Sequence, residues 1–182
     1  MTQTRGGFTL IEILVVLSII GVLLGILSVS FDSSREATRD AERKTDLTQL
    51  QLALEVYKSQ NGRYPAQGCG AGGWAGFGTH TDVDKTNCGG TPWINGLVPN
   101  YIDALPQDPR SEDDDNAGFM YQTDATGSIY KIVIMSSIEN RTIDSYDEKF
   151  ARCPYDCGVA WCDATGPEAT TYALYSRGAE CL

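Results

Sequence analysis

The stretch Arg5-Gly6-Gly7-Phe8-Thr9-Leu10-Ile11-Glu12-Ile13-Leu14-Val15-Val16 decides how the rest of this chain is read. It opens an apolar run from Phe8 to Phe31 that contains no Lys, Arg or Pro and a single charge, Glu12. At about 1.5 Å per residue, a run of about 24 residues makes a helix of about 36 Å, enough to cross the hydrocarbon core of a bilayer. An ordinary secretory signal has a shorter apolar region with a small-residue cleavage site behind it, and holds no carboxylate. A plain membrane anchor has the length, but a Glu near its start is costly there without a partner. A third arrangement meets both objections. Residues 1–7 form a short leader, Arg5-Gly6-Gly7 faces the cytoplasm, and cleavage falls after Gly7, ahead of the apolar run.

RGGFTLIEILVV resembles the class III signal of type IV prepilins and of type II secretion pseudopilins. The resemblance implies a prepilin peptidase that cuts between Gly7 and Phe8 and N-methylates Phe8. The family's glutamate at the fifth mature position matches Glu12. It also implies a precursor in the inner (cytoplasmic) membrane, an assembly platform in that membrane, and a helical homo-oligomeric filament that ends on the cell surface. Physical chemistry supports the role carried over to Glu12. Cleavage leaves a charged amine on Phe8 at the bilayer edge, and a neighbour's Glu12 can neutralise it only when subunits align. Phe8 and Glu12 therefore read as the assembly pair, with Glu12 as the register key. Gly21 and Gly25 form a GxxxG pair in the span, and are either incidental small residues or a helix contact face. Gly21 is also a soft point, since glycine weakens a helix by about 1 kcal/mol relative to alanine. Many pilins have a proline near the end of the span, around which the helix unwinds in the filament. This chain has none, so that unwinding is not carried over.

Past Phe31 the pattern turns amphipathic without a proline until Pro65. Leu47, Leu50, Leu54 and Tyr57 recur at helical spacing as one apolar stripe. Asp40 with Arg43 and Lys44 reads as i,i+3 and i,i+4 support on a solvated face, and Asn61-Gly62 as a helix stop. Residues 8–31 and 32–63 thus form two halves of one helix, a membrane and assembly half and an amphipathic half, and residues 64–182 form a globular head. Within the head, the glycine-rich segment 65–105 reads as loop, with Trp74 and Trp93 packed under it. Phe119–Thr123 and Ile129–Met135 read as a hairpin about the turn 124–128, and Thr171–Ser176 as a late strand. The fold class is α+β: a long N-terminal helix packed on a small antiparallel β-sheet head with disulfide-bonded loops.

All six cysteines lie beyond residue 68, which fits disulfides in an oxidising compartment. Cys69 and Cys88 would staple the glycine-rich loop, and Cys181 would tie the C-terminus to the segment holding Cys153, Cys157 and Cys162. Zinc is the competing reading, but the spacings CxxxC and CxxxxC are not those of a zinc ribbon. Asp108, Asp113, Asp114 and Asp115 form a candidate calcium set, because major pseudopilins bind calcium in the loop after a similar LPxDP segment. A charge run is otherwise a solvated face. Asn140-Arg141-Thr142 matches a short glycosylation sequon.

A net charge of −10 and a pI near 4.4 argue against nucleic acid as a partner. His80 is the only histidine, and no nucleophile or orienting acid is nominated beside it, so catalysis is not expected and no cofactor other than calcium is implied. The resulting reading is a structural pilin of a type IV pilus or a similar extracellular filament. The alternatives are the major pseudopilin of a type II secretion system, or a minor tip pilin whose head is a binding module.

Overall fold

A computed structural model describes residues 7–68, 75–77, 92–111, 117–135, 137–140, 150–153 and 171–182, without the side chains of residues 26–30. Helix α1 spans Leu10–Asn61, 52 residues without a break. It stops where the sequence places the stop: Gly62 takes φ +75° and donates its N–H to the Lys58 carbonyl at 2.8 Å, a left-handed closure that glycine adopts without a Cβ penalty. The chain divides into two compact units, Met1–Thr38 and Arg39–Leu182. In the second, the helix has head residues to touch.

Among the described residues four strands follow: β1 (Ala75–Phe77), β2 (Gly118–Thr123), β3 (Tyr130–Met135) and β4 (Tyr172–Tyr175). They form one antiparallel sheet in the order β1-β2-β3-β4. The expected hairpin is β2–β3. Its turn is held by Asp124, whose Oδ1 accepts the N–H groups of Ser128 at 2.6 Å and Ile129 at 2.8 Å, while Oδ2 accepts from Thr126. These hydrogen bonds, that of the Thr126 hydroxyl foremost, hold the Asp124 carboxyl at about 2, below the ordinary carboxylate range. At the tip, Gly127 has φ +69° and its carbonyl accepts from Tyr64 N at 2.8 Å; a Cβ there would lie 2.8 Å from the Tyr64 oxygen. Strand β1 falls inside the segment expected to be loop. Its three residues are too short and too rich in Gly and Ala to carry a periodic signal.

The core lies between the head portion of α1 and one face of the sheet. Leu47, Leu50 and Leu54 are fully buried against Phe119, Tyr121, Tyr130, Ile132 and Ile134. Burial of each leucine is worth about 1.5–3 kcal/mol. Tyr57, the fourth residue of the stripe, packs at the margin against Tyr101, with ring centroids 5.1 Å apart. Trp93 is buried beside Phe119, as expected for a loop aromatic, whereas Trp74 lies outside the described residues. Of the six cysteines only Cys153 and Cys181 are described, and neither is a free thiol.

Candidate functional site

The helix start is organised by two side chains. Thr9 is the N-cap: its Oγ1 accepts the Glu12 N–H at 3.4 Å, and Glu12 Oε2 accepts the Thr9 N–H and the Thr9 hydroxyl, both at 2.7 Å. This reciprocal arrangement is a capping box, which satisfies backbone donors that no helical carbonyl can reach. Its T-x-x-E signature was present in the sequence but not recognised there. The acidic residue also sits in the first turn, where the helix dipole favours negative charge. Glu12 therefore has a role inside its own subunit, and uses one oxygen for it. The other, Oε1, takes no hydrogen bond among the described residues.

Gly7 and Phe8 lie ahead of the helix, and Phe8 is 84% exposed. From Leu10 to Leu24 the large apolar side chains are likewise exposed. A helix apolar all round belongs in lipid or among other helices. Counted over the described side chains alone, no helix is long and apolar enough to cross a membrane. Those side chains are interrupted at residues 26–30, within the apolar run that the sequence extends to Phe31. The helix passes unbroken through Gly21 and Gly25, and an added Cβ at either would meet nothing within 4 Å.

A second constellation was missed in the sequence. Arg43 is 0% exposed. Its Nε and Nη2 donate to Asp108 Oδ2 and Oδ1 at 2.8 and 2.9 Å, and its Nη1 donates to Asp40 Oδ1 at 2.7 Å and Glu139 Oε1 at 2.9 Å. Arg39 completes the set with a two-point contact to Glu139. Asp40 further accepts the backbone N–H groups of Glu139 and Asn140. The i,i+3 pair expected on a solvated face exists, but it is buried. Helical spacing shows Asp40 and Arg43 together; it cannot show that Asp108 and Glu139, both distant in sequence, cover them. Burial works against the guanidinium charge, yet the Asp108 hydrogen bonds hold the Arg43 pKa above its ordinary value.

Two carboxyls here give opposite pH responses. Burial first, then the charges of Glu42 and Asp108, raises Asp46 to about 6. Arg39 hydrogen bonding lowers Glu139 to about 2, against the opposing effect of burial and with further help from Arg43. An acid whose folded pKa is raised disfavours folding when ionised, so acidification from about pH 7 to about pH 5 should raise the melting temperature of the head. An acid whose folded pKa is depressed contributes stability above its unfolded pKa, and that stability is lost as pH falls from about 4 towards 2. Thermal melts across this range should therefore peak near pH 4–5, and Asp46→Asn should flatten the neutral side of the peak. A melting temperature that falls steadily from pH 7 to 5 would refute this assignment.

Asp108 does not fit a calcium shell. Both its oxygens are taken by Arg43, and Oδ1 also accepts the Arg110 N–H at 2.9 Å. Asp113, Asp114 and Asp115 lie outside the described residues, as do Cys69, Cys88, Cys157, Cys162, His80 and the sequon beyond Asn140. Among the described residues no group of His, Cys, Asp and Glu converges to hold a metal.

Residues 3–28, which include Gly7, Phe8, the capping box, Gly21 and Gly25, match the prokaryotic N-terminal methylation motif. The likeness also extends well past the helix start. The chain is 32% identical over 136 residues to the type II secretion system core protein G of Dickeya chrysanthemi, covering 75% of this chain and 78% of the relative. It is 35% identical over 137 residues to the protein of the same name from Klebsiella michiganensis, covering 74% and 84%. The chain belongs to the type II secretion system core protein G family. The Aeromonas hydrophila member is 30% identical over 136 residues, 74% of this chain and 82% of the relative. No solved structure matches the chain. The core protein G family is pilin-like, structural and non-enzymatic. These relatives favour the pseudopilin alternative over the pilus subunit that led the sequence reading, because every quoted relative is a secretion core protein.

Proposed function

We propose that this chain is the major pseudopilin of a type II secretion system, a repeating subunit of a short periplasmic filament and not of a long surface pilus. The observation that carries this reading is the length of the match. Alignments of 136 and 137 residues cannot be confined to a methylation motif at residues 3–28, so the likeness includes the head. On this reading the precursor enters the inner membrane through residues 8–31. Prepilin peptidase cuts between Gly7 and Phe8 and methylates Phe8, and an assembly platform stacks the helices. Exposure of the apolar side chains from Phe8 to Leu24 supports a helix whose surroundings are lipid before assembly and other copies after it. On this reading Oε1 of Glu12 receives the Phe8 amine of a neighbour while Oε2 keeps the cap. Gly21 and Gly25 leave room for close helix approach. Cys153 and Cys181, neither of them a free thiol, suit the oxidising periplasm.

Deletion of the gene in its host, followed by complementation, tests the reading. Loss of the gene should trap secreted enzymes in the periplasm and leave surface pili and twitching intact. The mature protein from complemented cells should begin at methylated Phe8. Normal enzyme release with loss of surface fibres would overturn the proposal in favour of a pilus subunit.

A further inference from the structure

The sequence holds two Asn-Gly pairs, Asn61-Gly62 and Asn95-Gly96, and the fold treats them differently. In such a pair the glycine nitrogen can attack the asparagine side-chain carbon, because glycine has no Cβ to obstruct the approach. The attack needs a glycine N–H free to give up its proton and a side-chain amide free to turn and leave. At Asn61 neither is free. The Gly62 N–H donates to the Lys58 carbonyl at 2.8 Å, and Asn61 Nδ2 donates to the Tyr57 carbonyl at 2.9 Å and the Tyr101 hydroxyl at 3.0 Å. At the second pair the Gly96 N–H makes no hydrogen bond among the described residues, and Gly96 is exposed. Asn95 Nδ2 makes one, to the Gln67 carbonyl at 3.2 Å. The glycine stands there for a backbone reason. Gly96 takes φ +72°, which side chains with a Cβ rarely adopt, although a Cβ would meet nothing nearer than the Tyr57 ring at 3.6 Å. The turn therefore imposes the reactive pair.

We propose that Asn95-Gly96 is a site of spontaneous deamidation whose product releases the Trp93 turn from the helix exit. The Gly96 nitrogen loses its proton to water and bonds to Asn95 Cγ; the Cγ–Nδ2 bond breaks and Nδ2 leaves as ammonia. Water then opens the cyclic imide at either carbonyl. The product is aspartate at position 95, or isoaspartate, in which the main chain runs through Cγ. One water is consumed, one ammonia is released, and nothing is oxidised or reduced. Either product removes a donor where three segments meet. Asn95 Nδ2 holds the Gln67 carbonyl, and Gln67 Oε1 accepts the Thr123 N–H of β2 at 3.2 Å. Beside them the Asn95 N–H donates to the Ala66 carbonyl at 3.0 Å, and the Gly68 N–H to the Trp93 carbonyl at 3.1 Å. The new carboxylate only accepts, so it faces the Gln67 carbonyl with no proton between them. Isoaspartate also lengthens the main chain by one carbon, which displaces the buried Leu97 relative to the Ala66 bond. The inference concerns the head alone and does not depend on which filament the chain builds.

The competing account is that reactivity follows the dipeptide alone, and Asn61-Gly62 is the control within the same chain. The full chain in detergent is held warm at mildly basic pH, and the peptides carrying Asn61 and Asn95 are followed by mass spectrometry. Labelling with an isoaspartyl methyltransferase separates isoaspartate from aspartate. Two more hydrogen bonds protect the first pair, each a factor of about five, so Asn95 should convert at least about tenfold faster than Asn61. In denaturant most of that difference should vanish. Equal rates in the folded chain, or an intact Asn95 after the denatured chain has converted, would overturn the proposal. Asn95→Asp supplies one product directly and should lower the melting temperature of the head by about 3–6 °C. A sample of aged wild type gives the same reading without a variant, since its melt should move down as Asn95 converts. A melting temperature that stays put in both would show that the turn does not depend on the amide, and the release step would be wrong.

Discussion

Arg43→Ala should destabilise the head by about 3–5 kcal/mol, the cost of removing one partner from a buried ion pair. For a domain of this size such a loss is about 10–20 °C in melting temperature. The magnitude follows from what is left behind. Asp108 loses a two-point partner, Asp40 loses a charge-assisted hydrogen bond, and Glu139 loses one while keeping Arg39. The exposed pair Arg35–Asp32, at 4.0 Å, is the internal control, and Arg35→Ala should cost less than about 1 kcal/mol. The paired variant Arg43→Met with Asp108→Leu should recover much of the loss, since an apolar replacement leaves fewer unpaired charges. Calorimetry of the detergent-solubilised chain measures all three. A shift under about 3 °C for Arg43→Ala would show that water reaches the network and that it is no lock.

The same network shows where sequence reading stops. Whatever is set by neighbours along the chain was legible: the apolar run, the stop at Asn61-Gly62, the stripe at Leu47, Leu50 and Leu54, the β2–β3 hairpin with its Asp124 turn, and strand β4. Whatever depends on distant segments meeting was not. Arg43 and Asp40 looked solvated because Asp108 and Glu139 lie far along the chain, and Asp108 looked free to bind calcium for the same reason. The buried Lys131 could not be told from an exposed strand lysine, because alternation gives its face but not what covers that face. Strand β1 exists only by pairing with β2, which no local pattern reports. The capping box is different: Thr9 and Glu12 are three residues apart, and the signature was obscured by the interest of Glu12 as a charge in lipid.

Glu12 caps its own helix and is proposed to pair with a neighbour's amine, two roles that a single substitution confounds and a pair of substitutions can separate. Glu12→Ala removes the cap as well as the charge. Loss of the cap costs about 1 kcal/mol of helix stability, too little to unfold a helix held by lipid along its length. Loss of the charge leaves each incoming Phe8 amine without its counter-ion, about 3–5 kcal/mol per contact when buried. That is a factor of more than about a hundred in each growth step. Glu12→Gln keeps an oxygen for the Thr9 N–H and hydroxyl, since glutamine serves in a capping box as glutamate does, and removes only the charge. If the cap is the main business of residue 12, the glutamine variant should assemble and secrete almost normally and the alanine variant should be mildly impaired. If the carboxylate is the register key, both should insert in the membrane, be cut after Gly7, and fail equally to form filaments. The second outcome is expected. Blotting of membrane fractions confirms insertion and cleavage, and secreted enzyme activity with filament counts from overexpressing cells reads assembly. Filaments at wild-type numbers from the glutamine variant would mean that the charge is dispensable, and Glu12 would then be a helix cap that happens to lie at the edge of the bilayer.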